Sequence, residues 1–365
     1  MKRILCVISN MNAGGAETFL MKIYRQLDKT CYQMDFCINV PDKCFYEDEI
    51  TDMGGKMYRI PAKSQNQKEF ARRLGNVVQA NGYKYVLRIT SNAMGFADLK
   101  IAKQAGAKLC SARSSNSSDG AGWKPWLAHR VGRLLYGKYV DVKFAPSDLA
   151  AKYTFGKRAY DEGEVALLHN AVDLNVFRYD EAGRVAIREE LGIENDTLLV
   201  GHVGRFMTQK NHGFLLDVFH EILKKKPNSK LLLVGNGHLE RQVRDRVAAM
   251  GITERVIFAG IRSDVPQLLS AMDVFVFPSL YEGMPNTVIE AQATGLPCVI
   301  ADTITREANI TELVAYLPLQ NPQVWAEKAL EAADKQRVDT KQIFINEKYD
   351  VESAVESFVK LVFGE

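Results

Sequence analysis

Residues 273–300 read DVFVFPSLYEGMPNTVIEAQATGLPCVI, and this one stretch carries a strand, a loop, a helix and the start of a second strand. Residues 273–277 form an apolar, β-branched and aromatic run without helical period, as expected of a strand buried on both faces. Pro278 ends it. After the loop 279–284, Pro285 suits a first helical position, where its missing N–H would be unpaired anyway and its φ is already helical. The helix is expected to run to about Thr294, with Gly295 as its C-terminal cap and Pro297 blocking continuation before strand resumes at 298–300. The unit is β-α-β, which implies a parallel sheet.

A helix that begins here leaves the amides of Asn286 and Thr287 ahead of its first turn and points the positive end of its dipole outward, an arrangement suited to phosphate. Glu282 and Glu290 flank that position at an E-x7-E spacing. A carboxylate accepts two hydrogen bonds from vicinal hydroxyls, so either acid suits a ribose or a sugar. The spacing alone decides little, because Glu181 and Glu189 repeat it inside a charge-rich, exposed helix. The context of S-x-Y-E-G, Pro at helix entry, the second Glu and the G-x-P exit decides more. In that context the stretch resembles the retaining GT-B glycosyltransferases of glycosyltransferase family 4, particularly the branch that builds bacterial capsular and exopolysaccharides. The resemblance implies an α/β chain of two Rossmann-like, doubly wound domains facing across a cleft. It also implies Glu282 on sugar hydroxyls, Gly283 and Met284 where the backbone meets the donor, and Glu290 on the ribose.

A length of 365 residues fits two domains of ordinary size. The longest apolar runs, such as 231–234 and 274–277, fall far short of the ~20 residues that cross a bilayer. The basic start Met1-Lys2-Arg3 is followed by an apolar run, 4–8, too brief for a signal-peptide core, so a cytosolic protein is expected. Six cysteines form no C-x-x-C pair and lack paired histidines nearby, which argues against zinc; Cys6, Cys110 and Cys298 read as reduced core residues. Charge is uneven. Residues 1–170 hold 26 Lys and Arg against 16 Asp and Glu, a net of +10, and the remainder holds 21 against 28, a net of −7. A basic front half suits an anionic membrane surface or a phosphorylated acceptor; without an aromatic RNA-binding signature or a zinc finger, nucleic acid is not expected.

From the amino terminus, the strand 3–9 leads through N-M-N-A-G-G-A-E into a helix over 16–27. No G-x-G-x-x-G occurs here. The resemblance places the Gly14-Gly15 turn close to donor diphosphate and acceptor. Strand and helix then alternate through 33–38, 46–53, 56–60, 66–80, 85–89, 93–105 and 108–112, the pitch of a doubly wound sheet with ligands at its carboxyl edge. The Ser/Gly-rich run 113–122 follows, where an acceptor loop is expected. Many members of the resembled family carry a histidine at this strand end. This chain offers Arg113, which suits a donor phosphate or an anionic acceptor but stays protonated and so is no base. Residues 123–138, WKPWLAHRVGRLLYGK, suit either a helix in an anionic membrane interface or one with a core face and a basic solvated face.

The run H-N-A-V-D at 169–173 resembles the family's interdomain Asn-Gly-Val-Asp, with Ala171 in place of glycine. A charged helix over 180–191 and a strand over 197–203 lead into G-R-F-M-T-Q-K-N-H, residues 204–212. Gly204 lets the backbone approach, the Arg205 guanidinium can bridge two oxygens, and the Lys210 ammonium adds a point charge, as a diphosphate requires. After the strand 256–259 the resemblance places the nucleotide base against the backbone near Ile261. A final amphipathic helix, 351–363, is expected to cross back to the first domain. The domains are therefore expected over 1–170 and 171–348, with 349–365 returning.

The resemblance implies transfer of a hexose or N-acetylhexosamine from a nucleotide sugar, preferably a uridine diphosphate sugar, to a saccharide or polyprenyl-diphosphate-linked saccharide. It further implies retention at the anomeric carbon. No D-x-D stands at a strand end, so neither a metal nor any cofactor beyond the donor is expected. A nucleotide-sugar epimerase of the same fold and a non-catalytic nucleotide-sugar-binding subunit are the competing readings. Donor specificity among sugars is not encoded in spacing.

Overall fold

In the first half the apolar runs pair as seven parallel strands, β1 (Lys2–Val7), β2 (Tyr32–Ile38), β3 (Met57–Arg59), β4 (Tyr85–Thr90), β5 (Leu109–Ser114), β6 (Val142–Ala145) and β7 (Val165–Leu167). Their order is β3-β2-β1-β4-β5-β6-β7. Six more parallel strands, β8 (Leu198–Val203), β9 (Ser229–Val234), β10 (Val256–Gly260), β11 (Val274–Phe277), β12 (Cys298–Ala301) and β13 (Val314–Leu317), form a second sheet in the order β10-β9-β8-β11-β12-β13. Both orders run outward in two directions from the first strand, so each sheet has a switch point, between β1 and β4 and between β8 and β11. The computed structural model describes residues 1–115, 123–282 and 284–365, with backbone only for 123–125.

Burial explains why these runs lack the alternation of half-exposed strands. In β1, Ile4 and Cys6 pack into one cluster with Phe19, Leu20 and Phe358, while Leu5 and Val7 pack into another with Phe70, Leu74 and Phe96. Side chains alternate between faces with period two, and here both faces are covered by helices. In the second sheet Val274, Phe275, Val276 and Phe277 of β11 are all fully buried.

Two units divide the chain: Met1–Ala171 with Val351–Glu365, and Val172–Asp350. The terminal helix Val351–Phe363 lays Phe358 and Val362 beside Phe19 and Leu20 of the helix Gly15–Gln26, and Phe363 meets Tyr85 edge to ring and Tyr32 at a tilt. Its apolar residues recur at helical spacing and bury against the first sheet.

Two local expectations are corrected, and a third, left open between two readings, is narrowed. Pro285 is the residue before the helix, with φ −81° and ψ 90°, and the helix is Asn286–Ala293. Extended ψ puts its carbonyl where Val288 and Ile289 donate to it, so Pro285 serves as N-cap rather than first helical residue. Arg113 and Ser114 belong to β5, paired with Ile89 and Thr90, and not to the loop that follows. Finally, the helix Trp123–Tyr136 buries His129 and sets Gly132 against the backbone of Ala93, but leaves Trp126 58 % and Leu134 82 % exposed. Leu127 and Leu135 are exposed as well, so these leucines do not supply a core face.

Candidate active site

At the carboxyl edge of the second sheet, on either side of its switch point, stand the loops that leave β8 and β11. The loop after β8 carries Gly204, Arg205 and Lys210. A backbone brace holds it: Gly204 N–H donates to Val234 O (2.9 Å), Phe206 N–H to Asn236 O (2.8 Å) and Leu239 N–H to Phe206 O (3.0 Å). The brace requires Gly235 and Gly237, because a Cβ there would lie 2.3 Å from Gly204 O and 2.4 Å from Phe206 O. Arg205 projects from this turn, exposed, and pairs with no carboxylate among the described residues. Lys210 turns inward. Its Nζ lies 2.7 Å from Glu282 Oε1 and 4.5 Å from the centre of the Phe277 ring.

The loop after β11 runs alongside. Leu280 N–H donates to Gln209 O (2.8 Å), Gln209 Nε2 donates to Tyr281 O (2.8 Å), and Thr303 Oγ1 donates to Ser279 O (3.1 Å). The segment before Glu282 is thus tied to the β8 loop at two points and to the segment after β12 at a third. Gly283 lies outside the described residues, and Met284 packs against the apolar cores on both sides of the helix that follows.

The first bonds of the helix Asn286–Ala293 are those of Val288 and Ile289 to Pro285 O. Asn286 and Thr287 therefore begin the helix at its positive end, beside the Lys210–Glu282 pair in chain and in loop. Buried Gln292 fixes this helix: its Oε1 accepts from Ile310 N–H, Thr311 N–H and Thr311 Oγ1, and its Nε2 donates to Ala308 O (2.6 Å). At the far end Arg337 donates to Thr294 O, Leu269 O and Met272 O, and burial pushes its guanidinium down to about 10. Glu290, partly exposed, rides on a helix anchored at both ends. Gly295 closes it at φ +68°, a left-handed conformation with no room for a side chain. Ile261, one residue past β10, is 75 % exposed.

Behind the cations lie two imidazoles. His202, fully buried in β8, meets the Val276 carbonyl through Nδ1 at 2.9 Å, which places its proton there. Its ring lies near-parallel to Phe277 at 5.3 Å, and His212 approaches edge-on at 4.9 Å. Burial pushes both rings down, His212 to about 4, and the Lys210 ammonium adds to the effect. They are neutral at physiological pH, so the positive charge here belongs to Arg205 and Lys210.

The remaining candidates lie in the first unit. Gly14 caps the helix Gly15–Gln26 in extended conformation, and a Cβ on it would meet the Glu17 carboxylate at 2.4 Å. Arg113 is 1 % exposed. It donates to Asn170 Oδ1 (2.8 Å), stacks on Phe19 at 3.7 Å, and leaves Nε without an acceptor. Burial pushes its guanidinium down to about 9, so it is still a cation at neutral pH. Gln209, Gly235, Gly237, His202 and Gln292 were missed in sequence; of these only the G-N-G after β9 carried a signal.

The model of the family described as glycosyl transferases group 1 matches residues 197–335, the span of the site in the second unit. The putative glycosyltransferase EpsF of Bacillus subtilis is 36 % identical over 354 residues, covering 95 % of this chain and 91 % of that protein. An Escherichia coli enzyme named UDP-Gal:alpha-D-GlcNAc-diphosphoundecaprenol alpha-1,3-galactosyltransferase is 34 % identical over 146 residues, 39 % of this chain and 38 % of its own. Among solved structures, Anabaena HepE in complex with UDP superposes with a TM-score of 0.79 at 16 % identity over 100 % of both chains, which establishes the shared fold.

Proposed function

Because this chain belongs to the group 1 glycosyltransferases, we propose that it is a retaining family 4 enzyme moving a hexose or N-acetylhexosamine from a UDP-sugar to a saccharide or polyprenyl-diphosphate-linked saccharide. The observation that carries this reading is the meeting of Lys210, Glu282 and a helix start on adjacent loops at one switch point, with Arg205 open beside them. A leaving diphosphate needs charge already in place, since preorganised cations and helix amides stabilise it without reorganisation. Arg205, Lys210 and the amides near Asn286 and Thr287 take that role; Glu282 takes the sugar hydroxyls and Glu290 the ribose. Gly204 and Ile261 line the donor's nucleotide end; Gly14, Gly15 and Arg113 are the candidates that the first unit contributes. No step in this scheme calls for a metal.

Support for UDP and for a diphosphate-lipid acceptor comes from the neighbours, one solved with UDP and one named for such an acceptor. The enzyme named for a diphosphoundecaprenol acceptor supports cell-surface polysaccharide synthesis at the inner face of the membrane. Among the described residues no helix is long and apolar enough to cross a bilayer, so any contact would be peripheral, through residues 123–138.

The test is nucleotide release from UDP-, GDP- and ADP-sugars with chelator, with and without bacterial lipid extract. Acceptor-dependent release from one donor is expected, and Arg205→Ala should weaken binding of the free nucleotide at least tenfold. Tight binding with no release would support a binding subunit instead, and a changed sugar without acceptor an epimerase.

A further inference from the structure

Lys210 already has an anionic partner inside the protein. Its Nζ sits 2.7 Å from Glu282 Oε1, with side chains only 14 % and 11 % exposed, and the two loops are tied together next to it by two hydrogen bonds through Gln209. Such a pair is no casual surface contact. Its loops fix both ends, so little side-chain entropy is lost in forming it, and its shielding from water leaves the attraction weakly screened. On its other side the ammonium faces the Phe277 ring. Any phosphate that engages Lys210 therefore competes with the Glu282 carboxylate for one ammonium.

The two ligands of the proposed reaction meet this competition differently. A nucleotide sugar that draws Lys210 to its diphosphate also offers hydroxyls, and these donate to Glu282 in place of the lysine. A nucleoside diphosphate has only its ribose hydroxyls, assigned above to Glu290, and offers Glu282 none. It leaves a largely buried carboxylate without its cation and beside a further anion, and both effects oppose binding. We propose that Glu282, resting on the site reading above, sets the preference for nucleotide sugar over nucleoside diphosphate by competing for Lys210. Once the sugar has moved to the acceptor, Glu282 loses its hydroxyl partners, recovers Lys210 and speeds departure of the product. The acid both orients the transferred sugar and ejects what remains. No covalent change is required of either residue.

Calorimetric titration of UDP, GDP and ADP into the full chain, its Glu282→Gln and Glu282→Ala variants, Lys210→Met, and the double variant Lys210→Met with Glu282→Gln tests this. Circular dichroism confirms that each variant is folded. With whichever nucleotide binds the parent most tightly, Glu282→Gln should bind about tenfold more tightly, equivalent to ~1.4 kcal/mol. Glu282→Ala should move the same way, so the result does not depend on one replacement. The gain should vanish in the Lys210→Met background, where there is no ammonium to compete for. If neither Glu282 variant binds the nucleotide more tightly while Lys210→Met binds it more weakly, the competition is refuted and the diphosphate role stands. If the gain survives without Lys210, the effect is plain charge repulsion and the competition is again refuted. If Lys210→Met binds all three as tightly as the parent, the underlying site reading is the one that fails.

Discussion

Burial of the Arg113 guanidinium has no carboxylate to offset it among the described residues; one amide oxygen and the face of Phe19 are its surroundings. Its folded-state pKa, about 9, lies below the unfolded value. For a cation that sign means folding disfavours the charged form, so the penalty is fully present at neutral pH and is relieved only as pH climbs past about 9. Replacing a buried ion with an apolar side chain of similar volume commonly stabilises by about 1–3 kcal/mol. Arg113→Met should therefore melt several degrees above the parent. If the cation acts on the reaction through its field and through Asn170, the same variant should transfer sugar about a hundredfold more slowly. Calorimetry and the release assay together decide this. A variant less stable than the parent would mean that the guanidinium is a structural support for Asn170 and Phe19, and full activity would remove Arg113 from the reaction.

Among elements, the helix Trp123–Tyr136 departs furthest from ordinary packing. It is held by its His129 and Gly132 face, while Trp126, Leu127, Leu134 and Leu135 remain exposed and Arg130 lies over the Trp126 ring at 5.3 Å. Tryptophan and leucine beside arginine and lysine, in a half-chain of net charge +10, match the headgroup region of an anionic bilayer. Co-sedimentation should show the protein on vesicles containing phosphatidylglycerol but not on phosphatidylcholine alone. Binding should weaken with salt, and Trp126→Ser with Leu134→Glu should reduce it about tenfold or more, since a buried leucine side chain alone contributes ~1.5–3 kcal/mol. Equal binding by the double variant would show that this face does not carry the contact.

Element identity was legible in sequence for a physical reason. Parallel strands covered on both faces read as short continuous apolar runs, and several of the helices between them end on Gly or Pro. Pro285 was misplaced by one position because a proline φ of about −65° serves a cap and a first helical residue equally; only ψ separates them. Arg113 was read as loop because a charged residue closing an apolar run looks like its end, and only pairing with Ile89 shows otherwise. Arg205, Glu282 and Glu290 could be singled out as candidates from spacing and resemblance, because each sits within one short motif. The contact between Lys210 and Glu282 could not, since 72 residues separate them and only tertiary folding joins the two loops. The neutral His202–His212 pair was hidden likewise, because its meaning lies in burial.

Across the whole molecule the chain leaves the first unit after Ala171 and re-enters it at Val351. At the border of the second unit, Val172 N–H donates to Tyr349 O (2.8 Å) and Val172 bridges Asp350 as a parallel pair. The last fifteen residues thus complete the core of a unit that the first 171 cannot close alone: Phe358 is fully buried among Ile4, Phe19 and Leu20, and Phe363 lies on Tyr85. Truncating a buried phenylalanine costs about 3–5 kcal/mol because lost transfer energy adds to the cavity left behind. Phe358→Ala should accordingly lower the unfolding free energy of the first unit, read from urea denaturation, by that amount. Nucleotide affinity, measured where parent and variant are both folded, should stay within twofold, since the side chains proposed to hold the donor, Arg205, Lys210, Glu282 and Glu290, lie in Val172–Asp350 and only the Gly14-Gly15 turn belongs to the first unit. A tenfold loss of nucleotide affinity would mean that nucleotide binding depends on the first unit's core, and the weight of the donor assignment would shift from the second sheet to the Gly14-Gly15 turn.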